Sequence, residues 1–453
     1  MLNTIFVQST DISVDSLVDH FYTYGGSGDD DGYAMERTTD GGYILCGVTG
    51  SEGPNARIYL VKTGKYGTVE WSQSYGGSGI DYFGYDVKQT TDGGYVVAGY
   101  LDLIYPGNWI AILLKTTSTG SMQWVRYFSE APVVDKFHSV QQTSDNGYIM
   151  TGGTWSVQEY DSRWPDLWVV KADASGIKQW SKRYGSANWD IGYDIQTCTD
   201  GGYIVCGHRS YPYEPWVVKL DSGGNKVWET TIDTDEYARS IKQTVNGGYI
   251  VTGGLTDLWV SKLTDSGDIE WTKEYDSGLG YEVFECSVGG YVILGSSVMR
   301  TDASGEMMFK DSYFTAWDGV EIEQGYCAIV GSDDSDGDSD MALQLVSLDH
   351  QPPDVAITKP EDGLYLGNSR ILPLHNLIIL IGDMTIEIDT TDLFSGVLYV
   401  EYYVDDVLIG SQTGGSYRFD WMEKTIGRYT IKVTAYDICG NQASDEITIF
   451  NIF

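Results

Sequence analysis

The residues whose type and spacing could do chemistry are first of all carboxylates. The run GSDDSDGDSD at 331–340 sets Asp334, Asp336, Asp338 and Asp340 at alternate positions around Gly337. Hard oxygen ligands spaced along a glycine turn suit Ca2+. Laid on the EF-hand pattern the run departs from it, because Ser332 holds the first ligand place and Leu343 the place of the bidentate Glu. A solvated acidic loop is the favoured reading, with calcium at these four aspartates as the alternative; Asp29, Asp30 and Asp31 form a weaker cluster of the same kind. The second set is aromatic. Tyr105, Trp155, Tyr160, Trp164, Tyr211 and Tyr213 stand near Asp161, Arg163, Asp166 and Glu214. Exposed rings beside polar groups suit stacking on sugar faces or the hot spot of a protein partner, whereas the bland alternative has them packing loops against each other. The five histidines, His20, His138, His208, His350 and His375, are scattered and have no Ser or Cys nucleophile motif beside them.

These residues hang on a repeat. The string DGGYILCG at 40–47 returns as DGGYVVAG, DNGYIMTG, DGGYIVCG, NGGYIVTG, VGGYVILG and, weakened, QGYCAIVG. The closing glycines Gly47, Gly99, Gly152, Gly207, Gly253, Gly295 and Gly331 lie 36 to 55 residues apart. A second marker, of the form VVKADASGIKQW, follows each of the first six and places Trp71, Trp124, Trp180, Trp228, Trp271 and Phe309 four residues past a turn glycine. Strand, glycine turn and strand, twice over, make four short strands per unit. Seven such units describe a seven-bladed β-propeller. The DGG and NGG turns supply the positive-φ positions that tight hairpins need, and a large aromatic at one place in every unit reads as a wedge between neighbours. Trp109, Trp168, Trp216 and Trp259, at the start of the third strand, are assigned to structure for the same reason.

The seventh unit breaks at Pro352 and Pro353 without a fourth strand, while SLVDHFYTYGG at 16–26 matches GTVEWSQSYGG at 67–77, with His20 in the Trp slot and Tyr24 in the Tyr slot. The N-terminal strand is therefore expected to complete the last blade, which makes the start of the chain native to the fold. The strand nearest the axis carries Ala34, Asp86, Ser139, Asp194, Ser240 and Glu282 at one slot, and Glu36, Lys88, Gln141, Gln196, Lys242 and Phe284 at another. The favoured reading is the mixed polar lining of a wet channel; a carboxylate pair for glycoside cleavage is the alternative. Beyond Pro353 the repeat vanishes, and VLYVEYYVDDVLIGSQ, YRFDWM, RYTIKVTAYDICGN and ASDEITIF read as strands of an Ig-like β-sandwich of about seven strands.

With 28 Lys+Arg against 65 Asp+Glu the chain carries a net charge of −37. So acidic a chain repels phosphate backbones and anionic headgroups, which removes nucleic acid and lipid surfaces from its expected partners. No apolar run is long enough to span a bilayer, and the first 20 residues lack a basic n-region and a continuous apolar stretch. Either the protein is cytoplasmic or a leader has been removed. Cys46, Cys198, Cys206, Cys286, Cys327 and Cys439 show no CxxC pair and read as mostly free and buried.

Units of the form YGGSG..D.G..V.QT.DGGYI.AG......W.VKLD..G...W resemble the Trp-docked, PQQ-like propeller repeats of bacterial and archaeal surface or secreted proteins, and the tail is similar to the Ig-like modules appended to them. The resemblance implies an extracellular or envelope setting and a binding or structural role. The turns are also similar to the docking motif of quinoprotein dehydrogenases, whose cofactor and calcium ligands have no counterpart here. In the sialidase Asp-box the glycine stands three residues before the Trp instead of four, and the arginine cluster those enzymes need is missing. The resulting expectation is an all-β chain: a propeller over 16–350, closed by its N-terminal strand, and an Ig-like sandwich over 354–453. It would be a non-catalytic surface module for a glycan or a surface protein, contacted through Tyr105, Trp155, Tyr160, Trp164, Tyr211 and Tyr213, with Ca2+ the one cofactor in view. A carbohydrate-active enzyme working at the channel mouth is the alternative, and a purely architectural spacer the third.

Overall fold

The computed structural model describes residues 21–452 apart from 104–107, 131–133, 156–163, 186–187, 211, 276–277, 288, 312–314, 324, 335–337, 350, 393–394 and 423–424. His20 lies outside the described residues. Among these residues the chain is all-β, and it divides into two compact units, Asp19–Ile322 with Cys327–Val346 and Ser347–Phe453 with Glu323–Tyr326.

In the first of these, the described strands group into seven antiparallel sets of four. The opening set is Asp30–Arg37, Tyr43–Thr49, Arg57–Thr63 and Val69–Tyr75, each strand paired with the next. Five more sets follow in the same order; the second and third are joined by a single parallel bridge, Val134 to Trp109. The last set takes three strands from Ala316–Glu323, Tyr326–Asp333 and Asp340–Ser347, and its fourth from the other end of the chain: Phe21–Tyr24 pairs antiparallel with 341–344.

The same local chemistry recurs in set after set. In the first hairpin, Asp40 Oδ1 accepts hydrogen bonds from Gly42 N and Thr38 Oγ1 while Gly41 takes φ 87°. The third strand then returns a buried lysine, Lys62, whose Nζ lies 3.0 Å from Asp40 and donates to Thr63 O. Asp92 with Lys115, Asp145 with Lys171 and Asp200 with Lys219 repeat the pairing. Hydrogen bonds from the turn, and the lysine beside it, hold these carboxyls below the usual range against the opposing effect of burial; Asp40 and Asp145 fall to about 2.

The recurrent tryptophans join neighbouring sets. Trp71, Trp124, Trp180, Trp228 and Trp271 pack against Tyr95, Tyr148, Tyr203, Tyr249 and Tyr291 of the following set, with centroids 5.7 to 6.3 Å apart. Each also lies across the turn glycine of that set. At Gly120 (φ 79°) an added Cβ would come within 2.8 Å of the Trp71 ring, and at Gly224 (φ 75°) within 2.7 Å of Trp180. Only glycine combines that backbone with so close a ring. Tyr75, Tyr184 and Tyr275 then donate their hydroxyls to the carbonyls of Gly120, Gly224 and Gly305 at 2.5 to 2.6 Å. Tyr24 does the same to Gly67, where Tyr22 covers the glycine, so the N-terminal strand repeats the junction with a tyrosine ring in place of the indole. The hydrophobic clusters accordingly lie between sets: one joins Leu45 and Val61 to Val330 and Met341, the next Ile44 and Leu60 to Val97 and Leu114. Burial of a large apolar side chain contributes about 1.5–3 kcal/mol, so most of the stability resides in these junctions.

The second unit is an Ig-like sandwich. Asp354–Lys359, Met384–Thr391 and Arg418–Trp421 form one sheet, and a larger sheet is centred on Gly427–Asp437 and Gln442–Asn451. Ile386, Ile388 and Trp421 of the first meet Val400, Tyr402, Ile431, Val433 and Ile449 of the second in a single core. Asp405 and Asp406, both at positive φ, make the turn of the 397–412 hairpin. Ten strands are present among the described residues where about seven were expected. The additional ones are short, Gly363–Leu366, Ser369–Pro373 and Ile378–Ile381, and extend the edge of the larger sheet. All six cysteines are free and buried.

Candidate functional site

The site is built by a repeated irregularity. In the first strand of each of the first six sets the pairing register slips at one place: between Gly32 and Ala34, Gly84 and Asp86, Phe137 and Ser139, Gly192 and Asp194, Ala238 and Ser240, and Gly280 and Glu282. A bulge of this kind frees one residue from the ladder and re-aims its side chain. The freed residues are Tyr33, Tyr85, His138, Tyr193, Arg239 and Tyr281, and with Trp317 of the seventh set they line one cavity of about 710 Å3. Their contacts run round a closed loop. Ring centroids are 5.5 Å apart for Tyr33 and Tyr85, 5.6 Å for Tyr85 and His138, and 5.0 Å for His138 and Tyr193. The Arg239 guanidinium lies 5.6 Å from Tyr193 and 5.0 Å from Tyr281; Tyr281 is 4.2 Å from Trp317, and Trp317 is 5.9 Å from Tyr33. Each of the seven side chains is half-buried, so one face of each packs on its neighbours and the other is left to the cavity.

The electrostatics of this collar are defined. Burial, with Lys136 nearby, holds the His138 imidazole well below its usual range, so it is neutral. Its Nδ1 donates to Gly192 O at 2.9 Å, which leaves Nε2 as an acceptor. Arg239 also lies 5.4 Å over Tyr237, so three tyrosine rings hold the one cation of the collar. At the wall, Asp31 accepts from Ser339 Oγ at 2.7 Å, and Thr315, Ser332 and Asp334 complete the lining.

Below the collar a smaller space is lined by Asp86, Lys88, Ser139, Asp194, Gln196, Lys242, Glu282 and Asp318. Several of these groups tie one set to the next. Val140 N donates to Asp86 at 2.8 Å, Ile241 N to Asp194 at 3.0 Å and Met35 N to Asp318 at 2.8 Å, the last linking the seventh set to the first. Ser139 Oγ lies 3.0 Å from Asp86 and 3.1 Å from Asp194, its one proton within reach of both. Lys88 lies 2.7 Å from Asp86, and Lys242 lies 2.7 Å from Glu282 and 3.5 Å from Asp194. Burial pushes Glu282 up to about 8 against the pull of Lys242, with Asp318 and Asp194 adding to the rise. Asp318 is raised by burial as well.

Of the expected rim residues, Tyr105, Tyr160 and Tyr211 lie outside the described residues. Trp164 is 44% exposed and stacks on Trp189 at 5.5 Å. Trp155 meets Trp109 edge to face at 6.3 Å, and Tyr213 packs on His208 and Tyr237. Asp334 and Ser339 come from the loop joining the second and third strands of the last set, with Ser332 at the end of the second strand, and Trp164 and Tyr213 stand on the corresponding loops of the third and fourth. By the shared topology of the sets these loops crown the same end. Of the expected calcium ligands, Asp336 lies outside the described residues, Asp334 faces the cavity, and Asp340 is on the strand Asp340–Ser347. Asp334, Asp338 and Asp340 do not bring three carboxylate oxygens within 4.8 Å of one another. Of the four tryptophans assigned to structure, Trp168, Trp216 and Trp259 are buried and Trp109 is half-buried. The collar itself was missed by sequence reasoning, which singled out the slot one residue later; the available signal was the string YA, YD, HS, YD, RS, YE, WD at the same point of every set.

Among known proteins, the model of the bacterial Ig domain family matches residues 353–433. No curated protein matches the chain. Among solved structures, the chain is similar to the extracellular domain of a Bacteroides thetaiotaomicron protein provisionally classed as a one-component system, at 10% identity and a TM-score of 0.47, covering 96% of this chain and 58% of that one. It is also similar to a Bacteroides caccae protein of unknown function (10% identity, TM-score 0.39, covering 65% of this chain and 94% of that one) and to Sqt1 from Chaetomium thermophilum (11%, 0.45, 70% and 83%). At TM-scores below 0.5 none of these likenesses assigns a function.

Proposed function

We propose that the seven sets are the blades of a seven-bladed propeller over 16–350, followed by the sandwich over 354–453, and that the chain is a non-catalytic binding module of the cell exterior whose ligand is a carbohydrate held in the collar. The observation that carries this reading is the closed loop of seven side chains, one per set, six of them re-aimed by a bulge. A wall of aromatic faces with a single guanidinium, a neutral imidazole acceptor and two carboxylates offers stacking surface together with directed donors and acceptors, which is what a polyhydroxylated ring requires. The exterior setting is supported by the bacterial Ig domain and by the acidity of the chain. Trp155, Trp164 and Tyr213 supply an outer contact for a longer glycan or a surface protein.

A glycan array probed with the whole chain, followed by titration of any hit, tests the proposal. Tyr193→Ala and Trp317→Ala are expected to weaken binding more than tenfold, and Trp164→Ala by a few fold. A folded wild-type chain that binds no glycan sinks the carbohydrate reading, and full affinity in the collar variants moves the site elsewhere.

One observation favours a second reading. Burial raises the Glu282 carboxyl, which shares Lys242 with Asp194, and two carboxyls of which one is raised are the apparatus of glycoside cleavage. Release of new reducing ends from a bound glycan, abolished by Glu282→Gln, would favour the enzyme over the binder.

A further inference from the structure

The sandwich unit holds a carboxylate cluster that its apolar core does not explain. Asp349 precedes the strand Asp354–Lys359, Asp392 follows Met384–Thr391, and Asp437 ends Gly427–Asp437. One carboxylate oxygen from each lies within 4.8 Å of the other two, the only such trio among the described residues. Asp349 is 2% exposed and Asp437 is fully buried. Among the described residues no lysine or arginine forms an ion pair with either of these two. Like charges gathered away from water repel unless a cation offsets them.

The three groups are held in place by the backbone. Asp392 Oδ1 accepts from Ser395 N and Gly396 N at 2.7 Å each. Asp437 accepts from Asn441 N through Oδ1 and from Asn441 Nδ2 through Oδ2, both at 2.8 Å. Asp349 Oδ1 accepts from Gln351 N at 2.9 Å. Its other oxygen, Oδ2, is sealed from solvent and has no hydrogen-bond partner. A buried carboxylate oxygen with no donor is costly, and here it belongs to a group whose two companions are already anchored. All-oxygen ligation selects a hard cation over zinc or copper. Ligands 2.3–2.6 Å from a central ion can stand up to about 5 Å apart, which fits Ca2+, whereas Mg2+ demands a tighter octahedron.

We propose that Asp349, Asp392 and Asp437 bind one Ca2+, which pins the segment entering the sandwich to the ends of two of its strands. The site is separate from the 331–340 run, where calcium was the alternative to a solvated acidic loop. Calorimetric titration of the chelator-stripped whole chain with CaCl2, and in parallel with MgCl2, tests it. The expected result is one Ca2+ per chain, preferred over Mg2+, with a rise in unfolding temperature. Affinity should fall more than tenfold in Asp437→Asn and in Asp392→Asn and stay unchanged in an Asp334→Asn/Asp338→Asn variant. Should Asp437→Asn fail to fold, Asp392→Asn decides, since Asp392 is only half-buried. A wild-type chain with no heat and no thermal shift at millimolar Ca2+, or binding that is lost with Asp334 and Asp338 instead, overturns the proposal.

Discussion

The two edges of the repeated sets, the fourth-strand edge that is outer and the first-strand edge that is inner in the proposed ring, solve opposite problems. At the outer edge residue type recurs: an indole lies on the turn glycine of the next set, and a tyrosine hydroxyl closes on that glycine's carbonyl. The task there is the same at each junction, so the residues are the same. At the inner edge the position recurs while the type changes, through Tyr, Tyr, His, Tyr, Arg, Tyr and Trp. A bulge kept at one place with its occupant varied is what a surface shaped for something other than the chain itself would show. Recurrence of type marks packing between sets; recurrence of place alone marks the cavity.

The contrast can be broken by substitution. The largest effect is expected at the outer edge: Trp180→Ala removes a ring lodged between two sets and should cost about 2–4 kcal/mol, read as a lower denaturation midpoint with unchanged ligand affinity per folded molecule. Gly224→Ala should cost about as much, since it strains a positive-φ turn and drives a methyl into Trp180. At the inner edge Tyr193→Ala should do the reverse, with binding lost and the midpoint moved by about 1 kcal/mol or less. Equal losses of stability at both edges would abolish the distinction.

A smaller effect concerns pH. Glu282 rises from its ordinary value to about 8 in the folded chain, so the folded state binds its proton more tightly than the unfolded one. The stability this contributes is complete below the ordinary carboxyl range and is lost as pH rises through about 8. The slope of melting temperature against pH between 6 and 9 should therefore be shallower in Glu282→Gln than in the wild type. Smallest of all is the response of the six buried cysteines, whose thiols burial raises or seals. A thiol reagent should find none in the native chain and all six after denaturation; prompt reaction of one would locate an opening junction.

The repeat was legible because Asp, Gly, Lys and Trp answer local demands that recur every few dozen residues: a positive-φ turn, a buried cation for its carboxylate, and a ring for the next glycine. The polar slot at Asp86, Asp194 and Glu282 was legible as channel lining, and it does line the lower space. What could not be read was the residue before it. Strict alternation in a strand would turn Tyr85 and Tyr193 away from the face shown by their neighbours, and only the bulge brings both tiers to one side. The aspartates at 349, 392 and 437 were illegible for another reason: each looks like an ordinary turn residue, and they meet only because three strand ends converge.

The pairing of Phe21–Tyr24 with 341–344 has a consequence for how the molecule comes into being. A ribosome delivers residue 21 long before its partner exists, so Phe21–Tyr24 must wait for it through the synthesis of more than three hundred residues. Joining segments so far apart costs about 5 kcal/mol of chain entropy, a cost met only when the last set is complete. Until then Asp340–Ser347 and the turn at Gly67 each offer an open edge of the kind that invites the wrong neighbour. Afterwards those two sets cannot peel apart without tearing out a strand from the far end of the chain. The short segment near the N-terminus thus acts as a clasp, fastened last and opened first.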